Sequence, residues 1–253
     1  ARFTADGTPD TSFSGDGRAD LTLTNHTAGL VDVRVLNDGS IVAIGRYTAS
    51  DDPFSNGLWA AKTTAAGAPA PGYGTSGVST EFQGMVAHTE VGAIAADGSA
   101  IVHQQALGGG MSTRISPTGA FESGETMGGA PTPPSGCSAM GMGSPSVEAT
   151  AITDTGVVVV VSIATYDCGG TNASYLIVTG RTSAASAVAW TKLYPKQSDD
   201  WSTAAAAVGS EVLVASGSTA SQQIRRFAAD GTPVSTWGNS GTAGAPAGFG
   251  YIG

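Results

Sequence analysis

Residues 7–17 read Gly-Thr-Pro-Asp-Thr-Ser-Phe-Ser-Gly-Asp-Gly, residues 67–77 read Gly-Ala-Pro-Ala-Pro-Gly-Tyr-Gly-Thr-Ser-Gly, and residues 231–241 read Gly-Thr-Pro-Val-Ser-Thr-Trp-Gly-Asn-Ser-Gly. In each, an aromatic stands six places after the first glycine and a second glycine ten places after it. Recurrence of this kind is the signature of one supersecondary unit used several times. Phe13, Tyr73 and Trp237 occupy equivalent places. An aromatic fixed within a small, polar loop reads as an anchor that plugs a gap between neighbouring units. A sugar-stacking platform is the alternative. The pattern erodes in between: Glu125 replaces the aromatic after Gly119, and residues 188–201 carry Trp190, Tyr194 and Trp201 without a matching glycine-rich loop.

A second marker runs in step with the first. Gly39, Gly98, Gly156 and Gly209 each sit between two short apolar runs, as in Leu-Asn-Asp-Gly-Ser-Ile-Val-Ala-Ile-Gly at residues 36–45. Asp or Asn followed by Gly supplies the positive φ of tight primed turns, so each site predicts a β-hairpin. The flanking runs are rich in Val, Ile and Ala and are of strand length. Strands are expected at 19–24, 31–36, 41–48 and 58–63 in one unit, and at 76–82, 85–95, 100–106 and 111–116 in the next. The third unit is read at 148–153, 157–165 and 174–179. The fourth is read at 186–194, 202–208, 211–217 and 222–228. Residues 1–4 match the last strand of a unit and 246–251 the first strand of one.

Composition agrees with a turn-dense β protein. Only 12% of the residues are charged and 37 of 253 are glycine, against usual shares of about 25% and about 7%. The net charge is −9 and no basic cluster exceeds Arg225-Arg226. Nucleic-acid binding, which needs a positive footprint, is therefore not expected. No apolar run reaches the length of a membrane-spanning helix, so membrane insertion is not expected either. The first residue falls directly in a strand-like segment, as in a mature or trimmed product.

Repeats of antiparallel strands at this spacing predict an all-β fold. The expectation is a small β-propeller of four to five blades, built from repeats of about 55–60 residues. It would form a single domain over residues 1–253, with an irregular Gly/Pro-rich insertion near 127–146. The stretches Phe3 to Gly17, Leu36 to Gly45 and Arg226 to Gly241 resemble the delta-60 repeat family of secreted or cell-surface, propeller-like proteins. No catalytic residues are defined for such repeats. The resemblance implies a scaffold that presents loops to a partner.

Cys137 and Cys168 allow one disulfide, worth roughly 3–4 kcal/mol by loop entropy; unpaired thiols are the alternative on sequence alone. With few lysines and many Ser, Thr and Gly, the pair indicates a secreted or cell-surface location. Asn25-His26-Thr27 and Asn172-Ala173-Ser174 match glycosylation acceptors. Asp16 and Asp20, with Asp10 nearby, resemble the calcium loops of FG-GAP repeats. Calcium needs six to eight oxygen ligands, so turn capping is the competing role for these aspartates. No other cofactor is expected.

No nucleophile elbow, zinc-protease helix or phosphate-binding loop appears. His88 and His103, with Glu81 or Glu90, form a loose metal candidate. Carboxylates able to act as an acid/base pair include Asp51-Asp52, Asp199-Asp200, Glu81, Glu90, Glu122 and Glu125. The expected function is an extracellular, non-catalytic binding or scaffold module for glycan or protein, with Trp59, Asp199, Asp200 and Trp201 as binding residues. The alternative is a secreted hydrolase or lyase acting on polysaccharide or peptide through a carboxylate pair. A third reading is a pure assembly role within a larger surface protein.

Overall fold

The structure, a computed structural model, describes residues 1–50, 55–84, 90–106, 109–126, 132–139, 146–181, 188–195, 202–217 and 222–244. These residues form four antiparallel sheets, each with its four main strands in sequence order. The first contains β1 (His26–Val35), β2 (Ile41–Ala49), β3 (Asn56–Thr63) and β4 (Val78–Gly84). The second contains β5 (Glu90–Ile94), β6 (Ala100–Ala106), β7 (Gly109–Ile115) and β8 (Phe121–Thr126). In the third, β10 (Ser146–Ile152), β11 (Val158–Asp167), β12 (Asn172–Arg181) and β13 (Val188–Pro195) are joined by β9 (Ser138–Ala139), which pairs with β11. The fourth holds β14 (Ser202–Val208), β15 (Glu211–Gly217), β16 (Gln222–Phe227) and β17 (Thr242–Gly244). The chain divides into two compact units, Ala1–Val102 with Ser112–Gly124, and His103–Met111 with Glu125–Gly253.

One turn geometry recurs seven times among the described residues. At 4–8, 36–40, 64–68, 95–99, 116–120, 153–157 and 228–232, the first residue's N–H donates to the carbonyl four places on, and the N–H at the fourth place donates back to the first carbonyl. The fourth residue is glycine each time, with φ between 77° and 87°. This is a type I turn closed by a glycine bulge, a three-residue connection. The expected primed turn at Asp-Gly is thereby corrected, because the aspartates do not take positive φ. They cap instead. Asp38 Oδ1 accepts the Ser40 N–H at 2.9 Å, and Asp97 Oδ1 accepts the Ser99 N–H at 2.9 Å. Ser116 and Thr153 do the same work through their hydroxyls.

Positive φ on two successive turn residues occurs elsewhere, at Ser76-Gly77 and Ser240-Gly241. Thr75 and Asn239 close these hairpins by donating N–H groups to Val78 and Thr242 at 2.7 Å. The chain thus folds straight back, and β4 and β17 become the last strands of their sheets. Residues 76–82, read from sequence as opening the second unit, therefore finish the first. Residues 186–194 likewise correspond to β13, which ends the third sheet rather than opening the fourth. No strand forms at 19–24; the first strand of the first sheet is the long β1. Residues 246–251 lie outside the described residues.

The loop aromatics anchor as expected at two places. Phe13 and Tyr73 are each 2% exposed. A Cβ on Gly67 would lie 3.2 Å from the Phe13 ring, and one on Gly119 would lie 2.9 Å from that of Tyr73. The residue after each aromatic donates its N–H to the carbonyl before that glycine, Ser14 to Ala66 at 2.8 Å and Gly74 to Thr118 at 3.3 Å. Gly231 receives an aromatic from a different source. Trp190, on β13, lies against both Gly180 and Gly231 and donates its indole N–H to the Ala229 carbonyl at 2.8 Å. Trp237, in the loop position, is only half-buried.

Each unit has its own core. In the first, Val42, Ile44, Leu58 and Ala60 of the first sheet meet Ile94, Ala100, Val102 and Ile115 of the second. In the second, Val159, Val161 and Val178 meet Val212, Val214 and Phe227. Each fully buried aliphatic is worth about 1.5–3 kcal/mol. The first unit adds a polar stitch. Asp32 accepts the Ile94 N–H at 3.1 Å while Arg34 donates to the Ile94 carbonyl at 2.9 Å. Two side chains of β1 therefore satisfy both main-chain groups of one residue of β5. Burial pushes the Asp32 carboxyl above its ordinary range.

Tyr73 gives a sign test of this packing. Its hydroxyl is buried with no hydrogen-bond partner among the described residues, and burial pushes the phenol up to about 12. Removing an unsatisfied buried hydroxyl is neutral to favourable. In denaturant unfolding, Tyr73→Phe is expected to be as stable as the parent or more so, by up to about 1 kcal/mol. Gly119→Ala is expected to cost more than Gly7→Ala. Both force an alanine to positive φ, but only at Gly119 does the new methyl meet a ring, while Gly7 has open space.

Candidate functional site

The first sheet is apolar on both faces; one is filled by the core, and on the other Tyr47, Ala61 and Thr63 are buried while the rim stays open. Directly opposed residues share a face. The pairings Leu30↔Gly45↔Trp59, Val33↔Ala43↔Ala61↔Val78, Val35↔Ile41↔Thr63 and Tyr47↔Gly57↔Phe82 therefore define the face turned away from the core. A bulge at Leu30/Asp32 lets Leu30 and Val33, three residues apart, point the same way. None of these residues is charged. Leu30 is 62% exposed, Val33 53%, Val35 62% and Phe82 64%. Contiguous exposed apolar surface of this kind marks an interaction site.

On β1 and β2 the face is aliphatic from Leu30 to Val35, with Tyr47 at its far end; on β3 and β4 it carries Trp59 and Phe82. Trp59, expected from sequence to bind, is half-exposed there. Its indole N–H is already committed to the carbonyls of Arg46 at 2.8 Å and Gly29 at 3.2 Å. Gly45 makes this possible, since a Cβ at that position would collide with the ring. Trp59 can therefore offer a ring surface but no hydrogen bond. Phe82, two strands from Tyr47, extends the aromatic surface. It was not singled out in the sequence, where only the alternation of β4 distinguished it.

At the same end of the sheet, His26 meets Tyr47 edge to face with centroids 4.5 Å apart. The His26 Nδ1 lies 2.5 Å from the Thr24 carbonyl. Glu81 stands opposite Leu58, which is fully buried, and its Oε2 is buried with no hydrogen-bond partner among the described residues. Burial raises the Glu81 carboxyl above its ordinary value. Burial, then the Glu81 charge, raises the Tyr47 phenol. Of the carboxylates expected from sequence, Glu81 is the one among the described residues whose carboxyl burial raises.

The other expected sites separate. Asp10 pairs with Arg2 at 2.8 Å, Asp16 accepts the Arg18 N–H at 2.8 Å, and Asp20 pairs with Arg18 at 2.8 Å. These aspartates have the capping and pairing role, and no group of three or more His, Cys, Asp or Glu suited to a metal occurs among the described residues. Hydroxyl and amide donors from Ser12 hold the Asp10 carboxyl below the usual carboxylate range. His103 is buried in β6. Asp51, Asp52, His88, Asp199, Asp200 and Trp201 lie outside the described residues, as do the side chains of Glu90 and Glu125. Glu122 is exposed on β8. Cys137 and Cys168 form the disulfide, tying the segment before β9 to the turn between β11 and β12. No helix long and apolar enough to cross a membrane occurs among the described residues.

No family model matches the chain, and no curated protein matches it. The delta-60 resemblance thus rests on the quoted residues alone. Among solved structures, the chain is similar to a quinonprotein alcohol dehydrogenase-like protein from Bacteroides thetaiotaomicron, at 12% identity over 84% of this chain and 45% of that one, with a TM-score of 0.38. It is also similar to the polysaccharide lyase Uly1, at 12% identity over 87% of this chain and 50% of that one, with a TM-score of 0.40. The chain spans about half the length of each. The likeness is one between distant β folds, and no residue is carried across from either.

Glu81 supplies a pH test. Its folded-state pKa lies above the unfolded value, so its contribution is most favourable below the unfolded pKa and is lost as pH rises through the folded one. Glu81→Gln does not titrate. Relative to the parent, the variant is expected to gain stability as pH rises from about 4 to about 7, read as a widening difference in urea midpoint. An unchanged difference across that range would show that Glu81 is solvated.

Proposed function

We propose that this chain is an exported, carbohydrate-associated binding module whose sheets are blades of one small β-propeller domain over residues 1–253. The observation that carries the binding reading is the uncharged aromatic half-face of the first sheet, with Phe82 64% exposed and Trp59 fixed flat beside it. Sugar rings present C–H faces to such surfaces, and a locked tryptophan loses little entropy on binding. Asp199, Asp200 and Trp201, in the acidic stretch before β14, are a second proposed contact. The disulfide supports export, since such bonds persist in oxidising compartments.

A hydrolase or lyase is the second reading, and Glu81 is the observation in its favour. A carboxyl whose pKa is raised by burial is the kind of group that moves protons in glycoside chemistry. The two readings separate in one experiment, in which soluble polysaccharides are screened for retention and for chain cleavage. Binding predicts retention without cleavage, weakened about tenfold or more in Trp59→Ala and in Phe82→Ala, and unaffected by Glu81→Gln. The enzyme predicts new chain ends that disappear in Glu81→Gln. Retention that survives both aromatic substitutions would remove the first-sheet site.

A further inference from the structure

Residues 1–17 repeat the backbone pattern of the segment that closes the fourth sheet. Residues 1–9, Ala-Arg-Phe-Thr-Ala-Asp-Gly-Thr-Pro, match residues 225–233, Arg-Arg-Phe-Ala-Ala-Asp-Gly-Thr-Pro, at seven of nine positions. Their hydrogen bonds coincide. Arg2 donates its N–H to Gly17 as Arg226 does to Gly241, and Asp10 donates to Arg2 as Val234 does to Arg226. Phe3 bridges Pro9 as Phe227 bridges Pro233. Phe227 ends β16, the third strand of the fourth sheet, where it is 1% exposed against β15 and the core. Phe3 has the same backbone setting and is 60% exposed. Among the described residues, no first and second strand accompany Phe3.

The first sheet's aliphatic half-face is open in the matching place. In the first unit, β1 packs on β5, and in the second, β10 packs on β14, so first strands of successive sheets meet. A sheet containing Phe3 as its third strand would set its own first strands over β1 and β2. That is where Leu30, Val33 and Val35 are more than half exposed. We propose that this half-face, with the strand edge at Phe3, is an acceptor site for an apolar β-hairpin of the β14–β15 type. Recognition would be by strand addition at Phe3 and by apolar packing on β1. The hairpin's mating face is the one carrying Ala204, Ala206, Leu213 and Ala215, small or apolar residues, with Val208 and the charged Glu211 at its turn end. The proposal is independent of the carbohydrate reading, which uses Trp59 and Phe82 on the outer strands.

An isolated hairpin is marginally stable, so the test supplies it at high effective concentration. A copy of residues 202–217 is fused ahead of Ala1 through a flexible linker of about twelve residues. The fusion is expected to raise Tm by about 5 °C and to slow amide exchange in the peptide containing Phe3. The gain is expected to vanish when the added copy carries Leu213→Asp, or when the acceptor carries Val33→Asp at its exposed position. Equal Tm for the intact and the Leu213→Asp fusions overturns the proposal. So does a gain that survives Val33→Asp, which would mean that the added hairpin had replaced the resident one. Unchanged exchange at Phe3 also overturns it.

Discussion

A glycine at positive φ in the fourth place of the seven bulged turns is the constraint on which the rest depends. At φ near 80° a side chain is strained, so the site is kept bare. A bare site is also flat, and at Gly67, Gly119 and Gly231 that flatness receives an aromatic from elsewhere in the same unit. One requirement of the backbone therefore does two things. It closes the hairpin, and it opens a socket by which one sheet or loop is fixed against the next. Where the loop aromatic is lost, as in the eroded copy, the socket persists and Trp190 fills it from a strand.

The same economy explains the carboxylates. A chain with 12% charged residues has few to spare. Asp6, Asp10, Asp38, Asp97 and Asp230 are all used as turn acceptors. Hydroxyl and amide donors hold Asp6, Asp10, Asp38 and Asp230 ionised. Ionised caps are poor proton donors at neutral pH. Glu81 and Asp32 differ because they lie on strands against apolar neighbours, where burial works in the opposite direction. Asp32 is compensated by the Ile94 amide; Glu81 Oε2 has no such donor among the described residues.

Much of this was legible in the sequence, because glycine spacing and alternating apolar runs are local signals. The all-β class, the hairpins at Gly39, Gly98 and Gly156 and the Phe13 and Tyr73 anchors follow from them. Sheet membership was not legible. Whether residues 76–82 end one sheet or begin another depends on Ser76 adopting positive φ, which serine seldom does and composition does not announce. The turn type was missed for a related reason, since Asp-Gly serves both primed turns and bulged ones. The site was half legible. Trp59 stood out as a tryptophan, but Phe82 and Glu81 gained meaning only from their partners across β3.

Burial separates the sheets in a way that bears on assembly. β11 runs Val158 to Val161 with four consecutive buried side chains, so both its faces are covered. Ile101 and Val102 of β6 are buried on opposite faces as well. The first sheet is covered on one face, while Leu30, Val33 and Val35 stay open on the other. The fourth is similar, with Ala204, Ala206 and Val208 exposed. The two open faces differ in kind. The fourth sheet's carries the Arg226–Glu211 ion pair, with Nε to Oε2 at 2.6 Å, and small alanines. The first sheet's carries branched aliphatics and no charge. An apolar face without charge has nothing to keep it in water, and the same unit exposes Phe3, whose sequence twin Phe227 is paired with Val212 and buried. The first sheet is therefore where this repeat array has the most to gain from another strand pair.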